Sequence, residues 1–296
     1  MLVAAAVLFG LMAFVAKRAS LHIPGTEVAL VRFVVGLLCV AAAGLTAVKL
    51  RPVNLRNLAL RGIFGGIAVL LFFVAIEELP VGIATLLNYT APVFTAIDAG
   101  IFLGEKVSRA TALALALTML GVVLVVVGGA TGASGFAGFG IWELCGLASA
   151  VLSGAAVTAI RVARRTDGSW EIFGAFCLFG ALVTAPMAAR TWVWPSAYEW
   201  LLLVCVGLLA VAAQLLFTHA LREVKAAVSG VIMQLTPVTA LVLGALFNHD
   251  RITALAAFGA ALTICAVAYA AWASSVAAAA ESTVAARGPK SEMPRA

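Results

Sequence analysis

Four polar side chains stand inside stretches that are otherwise apolar: Arg32, Asn88, Gln214 and Gln234. A guanidinium among aliphatic residues can grip a carboxylate through two parallel hydrogen bonds, and a primary amide donates and accepts at once. Two of the four fall in a pattern. Asn88, Tyr89 and Thr90 come just ahead of Pro92, and Gln234 with Thr236 comes just ahead of Pro237. A proline within a helix removes one backbone hydrogen bond and leaves a carbonyl without its donor. Amides, a phenol, hydroxyls and freed carbonyls at one depth can hold a small polar ligand. The candidate binding residues are therefore Arg32, Asn88, Tyr89, Thr90, Pro92, Gln214, Gln234 and Pro237. A blander reading stays open, in which the prolines shape packed helices and the polar groups bond to neighbours. Arg32 could equally snorkel to the interface or pair with Glu27 or Glu143. Asp98 and His219 are the candidate proton carriers, with burial against packed neighbours as the alternative for each.

Other chemistry lacks its residues. The chain has no phosphate-binding glycine loop, no HExxH and no nucleophile–base pairing. Its five cysteines, Cys39, Cys145, Cys177, Cys205 and Cys265, fall one per apolar stretch without CxxC spacing, which reads as packing. Neither catalysis nor a cofactor or metal is expected.

The elements that must position these residues follow from composition. The chain is 64% hydrophobic and 11% charged, with a mean hydropathy of +1.13. Soluble domains are about half apolar and about a quarter charged, so this chain belongs in a bilayer. A spanning helix takes about 20 apolar residues, and Gly, Pro and charge divide the sequence into ten: 1–16, 27–48, 58–76, 81–103, 108–127, 140–160, 170–189, 197–220, 226–247 and 253–273. With the N-terminus in the cytoplasm, only Lys17, Arg18, Arg190 and Arg251 of the 19 basic residues fall in outer loops, and Arg32 lies within a span. The other 14, Arg61 among them, fall on the inner side, the positive-inside pattern. The net charge of +6 is thus a topology signal, and nucleic acid is not an expected partner. Trp142, Trp170, Trp192, Trp194, Trp200 and Trp272 fall near predicted helix ends, where aromatic belts form. The expected location is the inner membrane, with both termini cytoplasmic and lipid as the surrounding partner.

The chain also repeats. A shift of 145 brings Phe72 onto Phe217, Glu78 onto Glu223, Pro92 onto Pro237, Glu105 onto Asp250 and Thr118 onto Thr263. Near the start a shift of 144 brings Gly10 onto Gly154, Lys17 onto Arg161 and Glu27 onto Glu171. The expected organisation is a five-helix unit over 1–127, a Gly-rich outer linker over 128–139, a second five-helix unit over 140–273 and a disordered cytoplasmic tail over 274–296. Five is odd, so the second unit enters the membrane from the opposite side. Inverted repeats of this kind enclose a site near the midplane, and the two prolines would break their helices there, face to face.

With its order and spacing of motifs, the chain resembles the drug/metabolite transporter superfamily and, within it, the EamA-type ten-helix carriers. The resemblance rests on LFGLMAFVAK at 8–17, Pro24, LVRF at 30–33, TAPVFTA at 90–96, LGEKV at 103–107, LGVVLVV at 120–126 and QLTPVTALVLGALF at 234–247. Asn-His-Asp-Arg at 248–251 departs from the family's usual pattern. The resemblance implies an all-α membrane protein whose cavity is formed by the first four helices of each repeat. The fifth and tenth helices would be peripheral, near a homodimer contact. It implies export of a small-molecule substrate, an amino acid or related compound. An importer, a carrier of sugar-phosphate or lipid-linked cargo, and a non-transport scaffold or receptor remain alternatives.

Overall fold

The computed structural model describes residues 1–46, 48–79, 81–129, 140–248 and 252–286. Among these there are twelve helices and no strand: α1 (Leu2–Ala19), α2 (Gly25–Thr46), α3 (Leu55–Glu78), α4 (Val81–Asn88), α5 (Ala91–Leu103), α6 (Arg109–Gly129), α7 (Ile141–Ala163), α8 (Ser169–Thr191), α9 (Ala197–Ala220), α10 (Ala226–Met233), α11 (Leu235–Asn248) and α12 (Ala254–Ala286). With α4–α5 and α10–α11 each counted as one crossing, 10 are long and apolar enough to span a membrane. This is a multi-pass membrane protein.

The helix ends are set by local chemistry. Ser196 and Glu199 form a capping box at the start of α9, with the Glu199 carboxylate accepting from Ser196 N at 2.7 Å. Asn54 caps α3 by accepting from Asn57 N at 3.1 Å. Gly104 ends α5 in the left-handed region at φ 65°, where a glycine carries no steric penalty. At the other end of the chain, α12 runs on to Ala286, so the disordered tail expected from residue 274 starts as helix. The run SSVAAAAESTVAA is rich in alanine, the strongest helix former, and propensity carries the helix past the bilayer stretch. The rest of that tail, the linker from 130 to 139, and Asp250 with Arg251 lie outside the described residues.

The two prolines mark real interruptions. α4 stops at Asn88, Tyr89 and Thr90 turn, and α5 restarts at Ala91 with Pro92 in its first turn. The turn is closed by Thr90 N and Thr90 Oγ1, both donating to Leu87 O, at 3.1 and 2.6 Å. In the other half α10 stops at Met233, Gln234 is the junction and Pro237 is the third residue of α11. In a first turn the missing proline N–H costs nothing, because those groups have no intrahelical acceptor anyway.

Packing joins the halves rather than the helices within each half. α3 lies on α7 and α8, while α9 lies on α1 and α2; α5 meets α7, while α11 meets α1. Each of these contacts becomes another of them when the halves are exchanged. α2 and α8 are bound reciprocally. Glu27, at the start of α2, accepts from Val193 N just after α8 at 2.8 Å. Glu171, at the start of α8, accepts from Arg51 N beyond α2 at 3.0 Å. The start of each helix therefore meets the end of the other, and the two run antiparallel. Lipid offers no hydrophobic drive between helices, so close approach at small residues holds such contacts. A Cβ on Gly10 of α1 would stand 2.9 Å from Thr236 O of α11, and one on its sequence mate Gly154 of α7 would stand 2.7 Å from Thr95 N of α5. α6 and α12 pair separately, with a Cβ on Gly121 only 2.7 Å from Gly259 O.

Candidate functional site

Two adjoining chambers open between the halves, of about 480 and 310 Å³. Phe9 of α1, Val69 of α3, Asn88 of α4, Ser153 of α7, Phe176 of α8 and Gln214 of α9 face both. The larger chamber adds Arg61, Gly65 and Phe72 of α3, the break residue Tyr89, Pro92 and Thr95 of α5, Phe217 of α9, and Gly230, Met233, Gln234 and Thr236 from α10–α11. The smaller adds Arg32 and Phe33 of α2, Phe173 and Cys177 of α8, and Ala210 of α9. Among the described residues, every lining residue comes from α1–α5, α7–α11 or the breaks within them, and none from α6 or α12.

The two helix breaks touch. Gln234 Nε2 donates to Tyr89 O at 3.2 Å, so the junction in one half is hydrogen-bonded to the junction in the other. These two residues are 145 apart, the interval of the repeat. The same amide nitrogen also lies 3.2 Å from Met119 Sδ. Asn88 is oriented by a short relay: its Nδ2 donates to Ser149 Oγ at 3.0 Å, and Ser149 Oγ donates to Ala68 O at 2.7 Å. Gln214 Nε2 reaches Thr218 Oγ1 at 3.5 Å, the limit of a hydrogen bond. The interior thus has fixed donors and acceptors on an apolar wall of Phe, Met, Val and Ala, the usual make-up of a small-molecule site.

Six of the eight expected binding residues, Arg32, Asn88, Tyr89, Pro92, Gln214 and Gln234, come together on these chambers. Thr90 and Pro237 stand beside the lining, within or just after the breaks. Asp98 lies on α5 away from both chambers, half-buried, with Oδ2 lacking a hydrogen-bond partner. His219 faces a separate cleft with Met1, Arg164, Ser169 and Trp170. At that corner burial holds the Arg164 guanidinium below its ordinary value, Arg222 pushes the same way and Glu171 opposes.

Arg61 is a correction to the sequence reading. Counted among inner-loop cations, it is instead 4% exposed within α3, with its Cζ 4.0 Å from the centroid of the Phe176 ring. Its Nε has no hydrogen-bond partner. Two signals could have found it: it falls seven residues into α3, and RGIFGG places Gly65 one turn later, where a side chain would strike Arg61 Nη1. Arg32 has neither of the partners considered for it. Glu27 is bound to Val193 N, Glu143 to Gly140 N, and the Arg32 Cζ lies over the Phe33 ring at 4.8 Å.

A family model described as "EamA-like transporter family" matches residues 1–127 and again 140–272. The chain belongs to the EamA-like transporter family. It is 28% identical over 225 residues to the pseudopaline exporter CntI of Pseudomonas aeruginosa, an alignment covering 75% of this chain and 78% of the exporter. Human solute carrier family 35 member G1 is 26% identical over 203 residues, covering 65% of this chain and 56% of that one. A solved crystal structure superposes with a TM-score of 0.78 at 24% identity over 90% of this chain and 93% of the other. That likeness shows the fold. The ten apolar crossings and the family together make this a membrane transporter of the drug/metabolite type.

Proposed function

We propose that this EamA-family chain is a secondary transporter that exports a small polar or amphipathic metabolite, an amino acid or related compound, across the inner membrane by alternating access, with no chemistry done on its cargo. The observation that carries the reading is the meeting of the two helix breaks at Tyr89 and Gln234 on the wall of the larger chamber. In lipid, backbone outside a helix is tolerated only where protein or a cavity satisfies it. Breaks at matching positions in both halves, hydrogen-bonded to each other, form a hinge beside a binding site. The halves 1–127 and 140–273 act as inverted repeats in this reading, which the antiparallel α2 and α8 support. Rocking one half against the other would open the chambers to alternate sides. Export is favoured over import by the exporter among the relatives. The basic cluster of Arg161, Arg164, Arg165 and Arg222 at one end of the bundle favours that end, with both termini, as cytoplasmic.

The test compares metabolites inside and outside cells that overexpress the protein with cells expressing Asn88→Ala at equal levels. The expected result is at least one compound enriched outside with the intact protein and several-fold less with the variant. No difference for any compound between the intact protein and empty cells would end the export reading.

A further inference from the structure

Among the described residues no Asp or Glu lines either chamber, and neither Arg32 nor Arg61 makes an ion pair, so neither guanidinium has a carboxylate there. Arg61 is nine-tenths buried and carries an unpartnered Nε. What they have instead is aromatic faces: Arg61 Cζ lies 4.0 Å and Arg32 Cζ 5.9 Å from the centroid of the same Phe176 ring. Cation–π contact offsets part of the cost of desolvating a charge, but it fills none of the five N–H donors that each guanidinium presents. Two like charges beside one ring also repel. Gly65 gives the arrangement a second mark of construction. A Cβ there would strike Arg61 Nη1 and stand 2.8 Å from Phe176, so its absence makes the room in which the Arg61 fork lies.

We propose that the two chambers together bind a dicarboxylate, one carboxylate on Arg32 and the other on Arg61, and that the exported metabolite carries two acidic groups. This rests on the export reading and adds the substrate class. A monoanion would leave one buried charge without a counter-ion, and a cation would add to the repulsion. A phosphate monoester concentrates its two charges on one group, whereas the two arginines face different chambers that adjoin at Phe176. Asn88 and Gln214, which face both chambers, would hold the ligand's polar body, and Phe9 and Val69 its methylenes.

The full chain, purified in detergent, is titrated at matched ionic strength with succinate, glutarate and adipate, with butyrate, with leucine as a zwitterion, and with glycerol 3-phosphate, reading thermal unfolding. One of the dicarboxylates should raise the midpoint more than any of the other three ligands. Its affinity should fall about tenfold or more in Arg32→Gln and in Arg61→Gln, as loss of a bidentate charged pair implies. Arg61→Lys, which keeps the charge and loses the fork, should recover part of it. Gly65→Ala keeps both arginines but crowds the Arg61 fork and Phe176, and should weaken the same binding. Butyrate or leucine matching the best dicarboxylate, no dicarboxylate binding, or binding that survives both glutamine variants would each overturn the proposal. A larger shift with glycerol 3-phosphate would overturn the two-group geometry. Binding needs no turnover, so a dicarboxylate that binds a chain exporting nothing would sink the export reading alone. Exported compounds with fewer than two acidic groups would sink this one alone.

Discussion

Glu105 shows what one side chain can hold together. One oxygen accepts from Arg161 Nε at 2.7 Å, the other from Ala226 N at 3.0 Å, and Arg161 Nη1 donates onward to Leu221 O at 2.6 Å. The connection after α5 is thereby joined to the end of α7 and the start of α10. The pair is 19% and 12% exposed, too buried for the near-zero value of a surface ion pair. Glu105→Ala should therefore lower stability by about 2–3 kcal/mol, the range for hydrogen bonds to charged groups with a partner left unpaired. Thermal unfolding of the purified chain checks this, and an unchanged midpoint would mean the cluster carries no net stability. At this scale the sequence was legible where polarity contrasts with its surroundings. Asn88, Gln214 and Gln234 stood out because an amide in an apolar span needs a partner or a cavity. Arg61 did not, because a cation near a span's start is the normal sign of an interface. Its depth in α3 and the glycines that follow it mark the position locally, but the partner that decides its role, Phe176, lies 115 positions away, and no local pattern names that contact.

At the scale of the element, the same substitution should have opposite effects at two glycines. Ala is the better helix former by about 1 kcal/mol, so the sign depends on space. At Gly100 a Cβ would meet nothing closer than Glu105 O at 3.8 Å, and Gly100→Ala should be neutral or slightly stabilising. At Gly154 it would stand 2.7 Å from Thr95 N and 2.8 Å from Phe94 Cβ, one of them backbone that cannot rotate away. Gly154→Ala should cost about 1–3 kcal/mol as α7 and α5 are forced apart, read as a lower unfolding midpoint. Equal behaviour of the two variants would mean that this crossing is not tightly packed. Gly62 with Gly66, and Gly100 with Gly104, are both glycine pairs four residues apart. The first pair does face a helix, with a Cβ on Gly66 only 3.2 Å from the Phe179 backbone, while Gly104 is a helix cap with open space around it. Spacing alone gives no direction for the face, so it cannot tell a crossing from a cap. The prolines were legible because their effect is local. Pro92→Ala restores a donor at the α4–α5 break and lets the helix close across it. Export should fall several-fold at unchanged protein level, and full export would detach the break from transport.

For the whole molecule, the repeat interval carried the most information and one consequence remains to be measured. The 145-residue shift places Tyr89 on Gln234, and these two meet in space. The 144-residue shift places Glu27 on Glu171, and each binds the chain that leaves the other's helix. Contacts between sequence mates are what a two-fold axis running between the halves produces, since only residues close to the axis can touch their own counterparts. On the proposed inverted-repeat reading, an axis that turns α2 onto an antiparallel α8 lies in the membrane plane and would place the connections after α2 and after α8 on opposite surfaces. The expected outcome is a clean split in labelling. Val53, 66% exposed beyond α2, and Trp194, 82% exposed beyond α8, are each replaced by cysteine in a chain whose five native cysteines are removed. In intact spheroplasts a membrane-impermeant maleimide should modify Trp194→Cys and spare Val53→Cys, and in inverted vesicles the preference should reverse. Modification of both sites from one side would show that the halves share an orientation. The break-to-break contact would then be a packing coincidence rather than the centre of an alternating-access device.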